Sequence, residues 1–501
     1  MNMNYYNELT RSEILYCLMC QDAPCDKVCP HALPGKTLQS IWLSNSRAAA
    51  AALPDDNPCK DCDAPCEKVC VRPGKVSIKR SLTKLCEEIK PSLEISQPSD
   101  EGLLRTEICG VPLENPFLLS SSVVASTYEM CARAFEAGWA GAAFKTICSF
   151  DIHEASPRFS AIKGAGGDIT GFKNIEQLSN HSVAENMEIF RRLKAKYPAK
   201  VIIASIMGKD AEEWGELAKL CEENGADVIE LNLSCPNMSE EGYGSDIGHV
   251  PALVEEYTRI AKENCHLPVL AKLTPNVESV IPQTEAAIRG GADGVAAINT
   301  IKSITGVNIH TYVAAPSVAG KSASGGYSGN AVKPVALRFV TEIAQDIKYK
   351  NLHISAMGGI ETWRDALEFI LLGAGSVQVT TSVMQYGYRI IDDLKSGLNY
   401  YMAEKGFRSL DDVRGLALET VSDTTNELER DTVLFPSFNH DKCIGCGRCY
   451  ISCMDGGHQA IVFGKDRRPK LDGSKCVGCH LCILVCHEDA IRPAKKRVRK
   501  H

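Results

Sequence analysis

The segment VIELNLSCPN, residues 228–237, decides how this chain folds. Its first five residues, Val228 to Asn232, make a short apolar run that ends on a polar amide, and Cys235 follows just beyond. A run of that length bounded by polar or turn residues reads as a buried strand. Seven similar runs lie around it: Phe117–Ser121, Ala142–Thr146, Val201–Ile206, Val269–Leu273, Gly294–Asn299, His353–Met357 and Val377–Thr381. Amphipathic, helix-like stretches separate them. Eight strand-helix units between about Thr106 and Met402 predict an α/β fold of the TIM (β/α)8 barrel type, in which functional groups sit at the C-terminal ends of the strands.

The polar residues of this centre fall at those ends. Ser121 closes the first run, Lys145 and Thr146 the second, Asn232 the fourth, Lys272 the fifth, Asn299 and Thr300 the sixth, Gly358 and Gly359 the seventh, and Thr380 and Thr381 the eighth. Glycines after strand seven and threonines after strand eight occupy the place where such barrels bind phosphate through backbone amides. A phosphorylated cofactor is implied, and the glycine-rich GGYSGNAVKP (Gly325 to Pro334) is positioned to fold over it. Lys145 and Lys272 in an apolar barrel mouth fit a flavin, whose reduced ring is stabilised by a nearby cation. Taken singly, either lysine has a snorkelling or salt-bridged side chain as its alternative reading. Asn174, Asn232, Asn299 and Thr300 offer amide and hydroxyl groups suited to a neutral planar substrate with C=O and N–H edges. Cys235 precedes a glycine-containing loop, Met238 to Gly248, that reads as a lid. A thiol there serves as a general acid or base if it reaches the substrate.

Cysteine usage defines the ends of the chain. Of 23 cysteines, eight lie between Cys17 and Cys70, eight between Cys443 and Cys486, and seven are spread singly through the middle. The absence of a basic and apolar leader at Met1 to Thr10 points to the cytoplasm, where structural disulfides do not persist, so these thiols imply metal or redox chemistry. The spacing Cys443-x2-Cys446-x2-Cys449-x3-Cys453 recurs at Cys476-x2-Cys479-x2-Cys482-x3-Cys486. This is the two-cluster ferredoxin spacing, in which the fourth cysteine of each run crosses to the other cluster. It assigns Cys443, Cys446, Cys449 and Cys486 to one 4Fe-4S cluster, and Cys476, Cys479, Cys482 and Cys453 to a second. Near the start, CLMCQDAPCDKVC recurs as CKDCDAPCEKVC, carrying Cys17, Cys20, Cys25, Cys29 and Cys59, Cys62, Cys66, Cys70. Two further 4Fe-4S clusters account for these eight thiols, structural zinc is the alternative, and which cysteine crosses over stays open. The stretch Leu38 to Leu53 between the repeats reads as helical. Cys86 is either a spare ligand or inert, and Cys109, Cys131, Cys148, Cys221 and Cys265 read as inert buried thiols.

The chain has 501 residues and a net charge of -7. The charge argues against a nucleic-acid binder that works by phosphate neutralisation. No apolar run reaches the length of a membrane helix. The expected domains are a helical iron-sulfur domain over 1–95, an FMN-binding barrel over 96–432 and a ferredoxin-like domain over 433–501. The basic tail Arg492 to His501 reads as solvated.

Two resemblances join these readings. CLMCQDAPCDKVCP with its repeat resembles the helical iron-sulfur domain of long-chain dihydropyrimidine dehydrogenases and of the glutamate synthase small subunit. FKTI, GFKNIEQ, ASIMG, ELNLSCPN, AKLTPN, INTIKSITGVN, GGYSGNAVKPVALR and GGIETWRDALEFILLGAGSVQV, with the ferredoxin run, resemble the FMN and iron-sulfur subunit of bacterial NAD-dependent dihydropyrimidine dehydrogenases. That resemblance implies FMN contacts at Ser121, Lys145, Thr146, Lys272, Gly329, Gly358, Gly359, Thr380 and Thr381. It implies pyrimidine contacts at Asn174, Asn232, Leu233, Ser234, Asn299 and Thr300, with Cys235 as proton donor. After Pro236 the chain reads NMSEEGYGSDIG where that family tends to have a His-Gly pair, which bears on the substrate.

The expected reaction is reduction of uracil or thymine to the 5,6-dihydropyrimidine, or its reverse, with hydride from FMN, a proton from Cys235 and Lys272 supporting the reduced flavin. Dihydroorotate dehydrogenase is the alternative substrate reading, and a non-catalytic electron-transfer subunit the alternative class. GAGGDITG (Gly164 to Gly171) lacks the dinucleotide-binding spacing, so the expected electron donor is a separate FAD/NAD(P)H flavoprotein or a ferredoxin. A homo- or hetero-oligomer is expected, with neither nucleic acid nor membrane as partner.

Overall fold

The computed structural model describes residues 14, 17–72, 76–93, 102–164, 167–237, 244–347, 352–422 and 424–499. They form two compact units, residues 1–418 and 419–501. The first half of the expected lid, 238–243, residues 94–101 around the expected boundary between the first two domains, and the last two residues of the basic tail lie outside the described residues.

The larger unit is built on a closed parallel barrel of eight strands: β1 (Phe117–Leu119), β2 (Gly141–Ala143), β3 (Val201–Ile206), β4 (Val228–Asn232), β5 (Val269–Lys272), β6 (Gly294–Ala297), β7 (His353–Met357) and β8 (Ser376–Val379). They neighbour one another in chain order, and β8 closes on β1 through Val377 opposite Phe117. All eight match predicted runs: Val201–Ile206, Val228–Asn232 and His353–Met357 coincide at both ends, and the other five differ at their ends by one to three residues. β2 stops at Ala143 although Phe144 N still donates to Ile203 O at 3.0 Å, so Lys145 and Thr146 belong to the barrel rim rather than to the strand. β8 stops at Val379, and Thr381 instead opens a short helix to Tyr386.

The helices form where sequence supplies a cap and an apolar face. Ser182 with Glu185, and Thr362 with Asp365, close capping boxes at the helices Val183–Lys196 and Trp363–Leu371. The buried Phe144 and Phe190 meet edge to face, with centroids 4.6 Å apart.

Over the barrel mouth lies a four-stranded antiparallel sheet, Phe159–Lys163, Ile169–Asn174, Gly325–Ser328 and Ile301–Ser303. Sequence reading placed only its glycine-rich strand there.

The N-terminal cysteine repeats carry short helices, Pro24–Val28 and Pro65–Lys68, each started by proline. The stretch read as helical between them is two helices, Pro34–Trp42 and Ser46–Ala51, separated where Ser44 takes φ 58° and Asn45 caps the second helix by accepting from Ala48 N. This module packs on the barrel's last helices. Gln39 and Asn45 donate to the buried Asp393 at 2.9 and 3.2 Å, Trp363 donates to Ser44 O at 2.9 Å, and Arg389 donates to the carbonyls of Met19 and Cys20.

Among the described residues, 419–501 carry two α-helices, Arg448–Gly456 and Leu481–Leu484, and three small antiparallel pairings, among them Pro436–Phe438 with Ile491–Pro493 and Ile461–Phe463 with Pro469–Leu471.

Candidate active site and cysteine pockets

A cleft of about 1100 Å³, its open mouth included, sits at the C-terminal ends of the barrel strands. Ser121, Lys145, Thr146, Asn174, Asn232, Cys235, Lys272, Asn299, Thr300, Gly329, Gly358, Gly359, Thr380 and Thr381 all line it. Fourteen residues singled out on separate sequence segments thus converge. Leu233 and Ser234 do not line it. Both are buried beneath it, where Ser234 Oγ accepts from Asn299 Nδ2 at 2.9 Å.

One end of the cleft is built from backbone. Gly358 and Gly359 take φ 123° and 84°, in the left-handed region, and a Cβ on Gly359 would fall 2.8 Å from Lys333 N. Only glycine makes this turn without strain. Ser382 Oγ ties the turn to the helix 381–386 by donating to Ile360 O at 2.6 Å. No side chain caps that helix, which leaves its first backbone N–H groups available to an anion. Around it Ser122 with Thr380, and Ser328 with Thr381, share hydrogen bonds of 3.2 and 3.0 Å. This end fits a phosphate.

The middle is a network of small polar groups. Thr146 Oγ1 accepts from Asn232 Nδ2 at 2.8 Å and shares hydrogen bonds with Ser121 and Ser205. Thr300 N donates to Asn299 Oδ1 at 2.8 Å. Asn237 Nδ2 donates to Asn174 Oδ1 at 3.0 Å and to Glu176 O at 2.7 Å. Asn237 therefore fixes which way the Asn174 amide faces.

Two ion-pair systems underlie the cleft. Lys272 Nζ donates to Glu230 Oε1 at 3.0 Å, and both side chains are buried. Lys145 lies 3.3 Å from Glu154 and 3.6 Å from Glu176, and Arg158 lies 3.4 Å from Glu176. Burial raises the Glu176 carboxyl above its ordinary range, opposed by Lys145 and Arg158. Sequence reading named the lysines and missed their carboxylates. The available signal for Glu230 was its i, i+2 relation to Asn232, which puts both on the inner face of β4.

Cys235 is buried, 7% exposed, at the cleft wall. Burial pushes its thiol up to about 11, against smaller downward effects of the Asn237 backbone and Lys272. That shift keeps the thiol protonated at neutral pH.

The cysteines of the two modules gather into pockets. In residues 419–501, one pocket is lined by Cys443, Cys446, Cys449 and Cys486, and another by Cys453, Cys476, Cys479 and Cys482. Backbone N–H groups of Ala460 and Gly478 point at the sulfurs of Cys453 and Cys476, at 3.3 and 3.4 Å. In the N-terminal module, Cys17, Cys20, Cys25 and Cys70 line a third pocket. Burial, followed by repulsion from Cys62, Cys66, Cys86 and Cys29, pushes Cys59 up to about 11, so Cys29 keeps company with the second repeat. Cys29 and Cys70 have exchanged partners. Among the described residues no group of three or more His, Cys, Asp or Glu is gathered closely enough for a single metal ion.

Comparison with known proteins adds the following. Residues 103–402 match the dihydroorotate dehydrogenase family, and residues 437–492 match a 4Fe-4S dicluster domain. The chain is 51% identical over 365 residues to the NAD-dependent dihydropyrimidine dehydrogenase subunit PreA of Escherichia coli (strain K12), covering 73% of this chain and 89% of that protein. It is 35% identical over 352 residues to the chloroplastic dihydropyrimidine dehydrogenase (NADP(+)) of Arabidopsis thaliana, covering 68% and 82%. It is 38% identical over 318 residues to the catalytic subunit of dihydroorotate dehydrogenase B (NAD(+)) of Pyrococcus horikoshii, covering 63% and 98%. Among the described residues no helix is long and apolar enough to cross a membrane.

Proposed function

Since the chain belongs to the dihydroorotate dehydrogenase family of flavin-dependent oxidoreductases and to its dihydropyrimidine dehydrogenase branch, we propose that it interconverts a neutral pyrimidine and its 5,6-dihydro form in this cleft. One observation carries the choice of a neutral ring. The two lysines among the described lining residues, Lys145 and Lys272, are each already paired with buried carboxylates. A carboxylate-bearing substrate such as orotate would enter a wall whose charges are balanced and which includes Glu176. Uracil or thymine needs only the amides and hydroxyls of Asn174, Asn232, Asn299 and Thr300.

The residues present fit FMN: a backbone-lined anion end, a buried lysine, and the unpartnered buried Oε1 of Gln378 at the cleft wall. FMN, when bound, supplies the hydride and stores as a pair the electrons that clusters pass singly. The residues to hold it are Ser121, Lys145, Thr146, Lys272, Gly329, Gly358, Gly359, Thr380 and Thr381. Lys272, at the cleft wall, would offer the flavin a fixed cation. The asparagines orient the pyrimidine, and Asn237 orients Asn174. Cys235 Sγ donates a proton to C5 of the ring while C6 is reduced. Its raised pKa keeps that proton in place across the neutral range.

Four 4Fe-4S clusters are proposed, one for each cysteine quartet, with Cys29 and Cys70 crossing over in the N-terminal module as Cys453 and Cys486 do in the other. Electrons come from outside the chain, from a flavoprotein partner subunit or a ferredoxin, in keeping with the word subunit in the PreA name.

Replacing Cys235 by Ala is expected to slow uracil reduction by roughly 10²- to 10⁴-fold, the usual contribution of a general acid, with flavin content unchanged. Uracil turnover at the wild-type rate in Cys235→Ala refutes the assignment. The pH profile checks it separately. The thiol must be protonated to donate, so reduction should hold from neutral pH upward and fall only as pH approaches about 11, whereas the reverse reaction, which needs the thiolate, should rise over the same range.

A further inference from the structure

Beneath the cleft, a continuous polar chain runs from Lys272 and Gln378 into the barrel interior, and its other members have no part in the mechanism above. Glu230 on β4 accepts from Lys272 Nζ through Oε1 and from Gln378 Nε2 through Oε2, at 3.0 and 3.1 Å. Gln378 on β8 spends its second Nε2 hydrogen on Ser355 Oγ at 3.1 Å. Ser376 Oγ donates to Ser355 Oγ at 3.0 Å, and His353 Nε2 meets Ser376 Oγ at 3.0 Å. Burial and Arg414 hold His353 down to about 3, so it stays neutral and brings no charge to the chain.

Both oxygens of Glu230 accept and neither has an acceptor to donate to, which is the pattern of an ionised carboxylate. Both Nε2 hydrogens of Gln378 are taken, so the chain from the barrel floor fixes its amide, and the unpartnered Oε1 is left at the cleft. Lys272 is 4% exposed and Glu230 not at all, so water does not screen this pair.

We propose that Glu230 is a potential-setting positioning residue: held by Gln378, it offsets the charge of Lys272 and keeps the potential of the bound flavin low, which biases the enzyme toward reducing the pyrimidine. This rests on the flavin reading above. Two-electron reduction of the ring by dithionite, with uptake of one proton, leaves one negative charge on the ring. Lys272 favours that charge and Glu230 opposes it. A flavin held low by the carboxylate gives up its electron pair to the pyrimidine more readily.

The test is an anaerobic dye-linked titration of the holoenzyme's flavin. Glu230→Gln is expected to raise the equilibrium ratio of reduced to oxidised flavin at least tenfold at a fixed dye potential, equivalent to about 30 mV for a two-electron couple. With flavin bound, a ratio within twofold of wild type overturns the proposal. A purely structural role for Glu230 would lower stability without moving the ratio. Should Glu230→Gln fail to fold because Lys272 is left unpaired, the doubly neutral Glu230→Gln/Lys272→Met decides. If the carboxylate offsets the lysine, removing both leaves the ratio within threefold of wild type. A tenfold or greater fall means that Lys272 acts without that offset, and the proposal fails. Wild-type protein purified without flavin would instead refute the flavin reading itself, before either variant is compared.

Discussion

The two cysteine-rich modules are similar in sequence logic and different in what holds them together. The N-terminal module shares its apolar core with the barrel: Leu38, Trp42, Leu43 and Leu85 belong to the same cluster of buried residues as Phe135, Trp363 and Leu394. Among the described residues, the core cluster of the unit 419–501 has four buried members, Cys449, Ile461, Cys482 and Ile491, each still 4–8% exposed, and two of those are proposed cluster ligands. A small domain with so little apolar burial depends on cross-links or metals for its fold. One module is therefore anchored by packing and the other by its clusters.

Removing iron and sulfide from the holoenzyme should produce the largest contrast. Residues 419–501 should lose hydrogen-exchange protection and become protease-sensitive, while the barrel and the helix Pro34–Trp42 keep theirs. Equal loss in both modules would break the comparison. Next in size is the seam itself. Asp393→Ala leaves the amides of Gln39 and Asn45 buried with a partner removed, at a cost of about 2–4 kcal/mol. That loss should appear as opening of the N-terminal module in urea at lower concentration than the barrel. Trp363→Phe removes the indole donor to Ser44 O together with part of a ring packed against Tyr401, and should cost about 1–2 kcal/mol in the same assay. Finally, Cys29→Ser and Cys70→Ser should each remove the iron of one N-terminal cluster without altering flavin content, and the two variants should lose different clusters. Loss of the same cluster in both would contradict the exchange of partners.

The barrel was legible because its strands are buried on both faces and so read as unbroken apolar runs of fixed length. The ferredoxin-like cysteine quartets were legible because cluster ligation imposes spacing. What escaped were contacts that depend on register between distant strands. Glu230 and Gln378 sit 148 residues apart on β4 and β8, and each alone reads as an ordinary polar residue in a strand. Glu154 and Glu176 were hidden for the same reason, since only the folded rim brings them to Lys145. The sheet over the mouth assembles strands from two separate loops, those after β2 and β6, and nothing local in Phe159–Lys163 or Ile301–Ser303 announces that pairing. Leu233 and Ser234 show the converse, where a motif points at a site and two of its residues support the site from below.

The central claim is that this cleft reduces a neutral pyrimidine with a proton from Cys235. Anaerobic holoenzyme kept reduced by dithionite, offered uracil and orotate separately, tests it most directly. Dihydrouracil should form, at least 100-fold more slowly in Cys235→Ala, with little or no turnover of orotate. Faster turnover of orotate than of uracil, or uracil turnover unaffected by the substitution, would contradict it.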